Sequence, residues 1–297
     1  MIGTKFWRTL RNRTKNPSKP LAFVHAEVVS DIGCCRETNE DVACFIHPRD
    51  DSVVHSKGTL GIIADGMGGQ PAGELASRIA LDEIIQSYYD SPLPATTALR
   101  RAFERANAAI VTRSRGSGDS RGMGTTCTAI AILPAIAIFG HLGDTRLYLL
   151  RNGELKQLTE DQTRVMKMVQ QGLITKDEAR NHEDRNVILQ ALGQLGSVQN
   201  AQWGAEFATY DGDLFVLCSD GLYDLVRDDE IQESVLSQAP AAACRRLVDL
   251  AKCRGGFDNI TVMAISVGTP EEITPRPKNR ETHGDQEDEH EPADYRW

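Results

Sequence analysis

The stretch LGIIADGMGG at residues 60–69 carries an apolar run into an aspartate and then breaks into glycines. LFVLCSDG at residues 214–221 repeats the device. Short apolar runs of this kind read as buried strands, and a carboxylate at the end of each is delivered to a common rim. Two more acidic clusters lie elsewhere, RETNED at residues 36–41 and FDN at residues 257–259, the second directly before the apolar run ITVMAISV. Hard oxygen donors in such number suit hard divalent cations.

Around these runs the pattern is that of an α+β sandwich. β-like segments fall at 22–29, 59–63, 126–133, 135–140, 146–151, 213–217 and 260–267, and turns such as Arg151-Asn152-Gly153 favour antiparallel hairpins. One apolar helical face is formed by Leu75, Ile79, Ile84, Ile85 and Tyr88, and another by Leu99, Phe103, Ala106 and Ile110. A polar, helix-prone stretch at 161–191 contains Thr175 and Glu178 at capping-box spacing and reads as an inserted helical lobe. Strands and helices are segregated along the chain, which outranks a doubly wound α/β sheet.

The 297 residues, 40% hydrophobic and 25% charged, suit one large domain with tails. Residues 1–20 form a basic lead and 269–297 an acidic tail, both read as disordered, so the folded unit is expected at 21–268. The lead carries +6 and the tail −5, so a total of −9 leaves −10 on the span between them. That acidity argues against nucleic acid as a partner, and with it against a metal-dependent nuclease. None of the seven cysteines forms a CxxC pair, and no apolar run approaches the roughly 20 residues of a membrane span. A monomeric, cytoplasmic protein without a membrane span is expected. Cys34 and Cys35 adjoin the first acidic cluster but read as ordinary small residues.

Taken singly, each cluster is weak. Asp65-Gly66 after a strand is commonly only a turn, and RETNED taken alone reads more readily as a surface Arg-carboxylate pair than as a site. Arg36 is nonetheless a planar fork suited to phosphate oxygens, and Asp220 and Asp258 add two strand-end carboxylates to Asp65, with Glu40 and Asp41 as a further pair.

Taken in order, SDIGCCRETNED, IIADGMGGQPAGELAS, MGTTCTAI, GHLGDTRLYLLRNGELKQLTEDQT, RNVILQALG, LCSDGLYD and GGFDNITV resemble the metal-dependent Ser/Thr protein phosphatases of the PP2C (PPM) family, in their short bacterial form. The resemblance spans residues 22–267 and implies a four-layer α-β-β-α sandwich, its two antiparallel sheets enclosing a dinuclear metal site, with a helical flap at about 161–191. It implies two Mn²⁺ or Mg²⁺ ions bridged by Asp65, the Gly66 carbonyl on one of them and Asp220 and Asp258 on the other. Glu40 and Asp41 resemble the family's ligand and water-positioning pair, Arg36 its phosphate clamp, and Asp144 the holder of a third, weaker metal. The implied reaction is hydrolysis of phosphoserine and phosphothreonine by a metal-bridging hydroxide, reversing a Ser/Thr kinase in bacterial signalling.

Two departures from the family limit what carries over. Met67 stands where animal members carry a histidine that protonates the leaving oxygen, and Asp161 is followed by Gln162 where a histidine is frequent, so no role is carried to either position. His141 and His182 are open to a catalytic part, though structural or solvated roles are commoner. Rival readings are a phosphatase acting on anti-sigma-factor antagonists and a silent phosphoprotein-binding relative. The second conflicts with the intact Asp65, Gly66, Asp220 and Asp258.

Overall fold

The computed structural model describes residues 23–69, 71–115 and 122–268. The segments 1–20 and 269–297, read above as tails, lie outside the described residues.

Two sheets carry the fold, and every strand pair in them is antiparallel. The first runs, in spatial order, β1 (Val24–Asp31), β12 (Ile260–Val267), β11 (Leu214–Cys218), β7 (Arg146–Arg151) and β8 (Glu154–Gln157). The second runs β10 (Phe207–Ala208), β6 (Ile136–Leu142), β5 (Cys127–Leu133), β3 (Thr59–Met67) and β2 (Asp41–Ile46), with β4 (Gly124–Thr125) on β3 and β9 (Gln202–Trp203) on β6. The inner faces meet through Ile63, Ile130 and Phe139 on one side and Leu147, Phe215 and Met263 on the other. Helices cover both outer faces, so strands such as β11 and β12 are buried throughout. Their sequences therefore run continuously apolar instead of alternating.

On the second sheet lie α2 (Ala72–Tyr89) and α3 (Ala95–Ser114), which bury Ala76, Ala80, Ile84, Phe103 and Ile110. Each large side chain of that set contributes roughly 1.5–3 kcal/mol by leaving water. On the first sheet lie α7 (Asp228–Ser237) and α8 (Pro240–Cys253), which bring Ile231, Leu247 and Val248 against Val216 and Ala264. Pro240 stands in the first turn of α8, where its missing N–H costs nothing. Smaller helices are α1 (Asp51–Lys57), α4 (Arg164–Gln170), α5 (Lys176–Arg180) and α6 (Asp220–Tyr223). No described helix is long and apolar enough to cross a membrane.

Most expected segments are present with shifted ends, and the Asn152-Gly153 turn joins β7 to β8 with both residues at positive φ. β2, α7 and α8 have no counterpart among those expectations. One placement is corrected: Asp65 does not end its strand, because β3 continues to Met67 and pairs there with β4. The break comes at Gly68 and Gly69, with φ of 118° and 73°.

Candidate active site

The register of β2 on β3 sets Asp41 opposite Asp65, so two acids from distant clusters become neighbours across one ladder. The Asp65 carbonyl accepts hydrogen bonds from Thr125 Oγ1 at 2.7 Å and the Thr126 N–H at 2.9 Å, which fixes the backbone beneath its side chain. Gly66 has no need of positive φ. It is glycine because the first turn of α2 passes directly over it, and a Cβ there would strike the Gly73 carbonyl. Close approach, not a sharp turn, is what Gly66 provides.

The first sheet contributes the opposite wall. Ser219 follows β11, and its hydroxyl donates to Asp41 Oδ2 at 2.7 Å while accepting the Thr261 N–H at 3.0 Å. Asp220 then opens α6. Asn259 knits the remaining loops: its Oδ1 accepts the Glu40 N–H at 2.8 Å, and its Nδ2 donates to the carbonyls of Ile32 at 3.0 Å and Thr38 at 2.9 Å. The RETNED loop is thereby laid against the turn that carries Asp258, and Arg36 Nη2 reaches Asp258 Oδ2 at 2.6 Å.

The acids crowd one another. Loss of hydration pushes the Asp65 carboxyl well above the usual range, and the charges of Asp41, Asp220, Asp144 and Asp258 push it further. Asp220 rises for the same reasons, with Asp144 and Asp258 the leading neighbours. Burial lifts Asp41 to about 6 against the hydrogen bond from Ser219, and lifts Asp144 to about 7 with help from Asp161 and Asp224. Glu40 is raised by burial, partly offset by Arg36. Asp41 Oδ1 and Asp144 Oδ1 are buried without a hydrogen-bond partner. Such atoms are costly to leave bare, and both the orphaned oxygens and the mutual repulsion are what a polyvalent cation relieves. Among the described residues no three His, Cys, Asp or Glu side chains close into a ready cage. The donors are strung along a trough, and one of them, Asp258, is engaged by Arg36.

Arg36, Glu40, Asp41, Asp65, Asp220 and Asp258 thus come together from four separate stretches, and Asp144 joins them, sharing a cavity wall with Asp220 and adding its charge to the repulsion on Asp65. Ser219 and Asn259 went unread in the sequence, although each adjoins an acid that was read. His141 is fully buried, its ring bonded to Thr128 Oγ1 at 2.8 Å and the Glu160 carbonyl at 3.1 Å, and burial presses its pKa down to about 4. Its part is structural. His182 sits in the lobe, where its Nδ1 accepts the Asp184 N–H at 3.0 Å. That lobe holds α4 and α5, the latter opened by the Thr175–Glu178 capping box, and faces the core across a cavity of about 260 Å³ bordered by Asp144, Arg180, Asp220 and Asp224.

Residues 47–249 match the family model described as protein phosphatase 2C. A serine/threonine phosphatase of Listeria monocytogenes, stp, is 34% identical over 248 residues, which are 82% of this chain and 95% of that protein. Among solved structures, the Mycobacterium tuberculosis serine/threonine phosphatase PstP superposes with a TM-score of 0.73 at 35% identity, covering 83% of this chain and 99% of that one. The catalytic domain of PstP in complex with two manganese ions gives a TM-score of 0.71 at 35% identity, over 83% of this chain and 99% of that one.

Proposed function

The chain belongs to the protein phosphatase 2C family and is a metal-dependent serine/threonine phosphatase of bacterial signalling type, and on that premise we propose how its residues divide the work. Asp65, the Gly66 carbonyl, Asp220 and Asp258 hold two divalent ions, Mn²⁺ or Mg²⁺, with Glu40 as an added ligand and Asp144 available to a third, weaker one. The observation that carries this assignment is the set of mutually repelling acids with orphaned oxygens at Asp41 and Asp144. When bound, the ions supply Lewis acidity and lower the pKa of water at the phosphorus.

The protein side of the reaction follows from the geometry. Arg36 is exposed and forked, so it can bind two phosphate oxygens and offset the charge they carry as the ester breaks. Its present partner is Asp258, and an Asp258 oxygen turned to a cation releases the guanidinium for substrate. Asp41 Oδ1 has no partner and belongs to a carboxyl lifted to about 6, which suits it to orient water and hold a proton near neutral pH. Substrates are phosphoserine and phosphothreonine proteins made by a cognate kinase, and the unit that acts on them is residues 21–268, as a monomer. All seven cysteines are free, as suits a reducing cytoplasm.

Purified protein with Mn²⁺ or Mg²⁺ should hydrolyse an aryl phosphate and a phosphothreonine peptide, lose both activities to EDTA and regain them on adding Mn²⁺. Turnover that survives exhaustive chelation would refute the assignment. Arg36→Lys keeps the charge and loses the fork, and is expected to lower kcat/KM about 10- to 100-fold while leaving the metal requirement intact. Wild-type kinetics in both Arg36→Lys and Arg36→Ala count against the clamp.

A further inference from the structure

We propose that Arg146 is a positioning residue, locking the root of the helical lobe to the two turns that carry Asp144 and Asp220. This rests on the reading of those two acids as cation ligands. Arg146 lies two residues after Asp144, and its side chain is turned inward with 14% exposure, against 4% for its partner Asp161. The pairing is forked: Nε meets Asp161 Oδ1 at 3.0 Å and Nη2 meets Oδ2 at 2.6 Å. Gln157 Nε2 donates to the same Asp161 Oδ1 at 2.8 Å, and Arg146 Nη1 donates to the Tyr148 hydroxyl at 3.0 Å, which itself donates to Asp228 at 3.0 Å. A lysine cannot satisfy this set, because it is a point charge without a plane.

The residue after Asp161 grips the other side of the same turn. The Gln162 N–H donates to the Gly143 carbonyl at 2.7 Å, and Gln162 Oε1 accepts the Gly143 N–H at 2.9 Å. Asp144 is therefore flanked by Gly143 and Arg146, each bonded to the lobe's first residues. Arg146 also reaches the second turn, since its guanidinium carbon lies 3.6 Å from the centroid of the Tyr223 ring. Tyr223 ends α6, which Asp220 begins, and it borders the same cavity as Asp144 and Asp220. From the lobe, Arg180 Nη2 donates to the Tyr223 carbonyl at 2.8 Å and Arg185 pairs with Asp224 at 3.5 Å. Arg146 therefore touches both the lobe root and the Tyr223 ring. Moving it shifts both ligand turns and the lobe together.

The test uses the full chain with Arg146→Lys and Tyr223→Phe. Arg146→Lys should weaken Mn²⁺ binding at the weakest calorimetric site by about tenfold, the size of effect that removing a ligand's support has on a metal. It should also speed limited proteolysis within residues 171–187 of the metal-free protein by about tenfold, well below the melting temperature, and lower kcat more than it raises KM. Tyr223→Phe keeps the stacked ring, so lobe protection and Mn²⁺ binding should both stay at wild-type levels. Arg146→Lys with a wild-type Mn²⁺ isotherm and wild-type cleavage, whatever its melting temperature, overturns the proposal. Should Arg146→Lys not fold, Asp161→Asn decides by the same readouts, with Tyr223→Phe as the control. If the wild-type chain takes up no Mn²⁺, the ligand reading has failed, and the proteolysis arm, which needs no metal, still decides the coupling of Arg146 to the lobe.

Discussion

Asp65→Asn is expected to lower kcat/KM by about 10³-fold while raising the melting temperature of the metal-free protein by about 5 °C. The loss follows from Asp65 being the acid on which the site converges, opposite Asp41 across the β2–β3 ladder and within reach of Asp220, Asp144 and Asp258. The gain follows from the same crowding. In the unfolded chain Asp65 ionises freely, whereas in the fold it must either take a proton or face four neighbouring acids, and that cost is removed by a neutral isostere. The gain should be present at pH 8 and fade as pH falls, vanishing only at about pH 2 to 3, below the ordinary 3.8, where both states of the wild-type side chain are protonated. Activity and calorimetry on one preparation check both halves. A variant that loses activity and melts lower than wild type at pH 8 would mean that Asp65 holds the fold together instead of straining it.

The second large effect is a reversal of pH dependence by metal. Asp41 and Asp144 have folded pKa values of about 6 and about 7 against an ordinary 3.8, and Asp65 and Asp220 are raised as well. Between roughly pH 4 and pH 7 the native state therefore binds more protons than the unfolded chain, so the metal-free protein gains stability as pH falls through that window. His141 opposes this, because its native pKa of about 4 lies below the ordinary 6.5 and costs stability below that pH. One histidine against four acids leaves the sign unchanged. With Mn²⁺ present the acids must be ionised to bind it, so protons compete and stability falls with pH. At 100 times its dissociation constant a ligand adds about 2.7 kcal/mol. Melting curves in EDTA and in Mn²⁺ should lie together near pH 4 and separate increasingly towards pH 8. Parallel curves would sink the idea that these acids form one cation site.

What could be read beforehand depended on where each signal resides. The runs around Asp220 and before Asn259 were legible because strands buried on both faces stay apolar along their length. β2 was missed because DVACFI begins on the very aspartate that reads as a ligand, and its residues after Asp41 are only half-buried. α7 and α8 have no counterpart in the sequence reading, although Ala243, Cys244, Leu247, Val248 and Ala251 of α8 stand at helical spacing. In the site, acids could be listed from sequence but their contacts could not. The Ser219–Asp41 bond joins residues 178 apart, and the Asn259 bonds join residues more than 200 apart. Pairings of that range are set by register and topology, which no local pattern carries.

That topology also dates the enzyme's birth on the ribosome. β12 is the last described strand, yet it lies between β1, the first, and β11. Until it emerges, β1 has no neighbour in its sheet, and the RETNED loop lacks the Asn259 that holds it. Chain elongation adds residues one at a time, and distant pairings are paid in closure entropy before they return any contact. A nascent chain stopped before residue 258 therefore carries Asp65 and Asp220 without Asp258 or Asn259, and its Arg36 loop has nothing to close on. A chain stopped there is therefore expected to show no phosphatase activity, and to gain it only once β12 has been added.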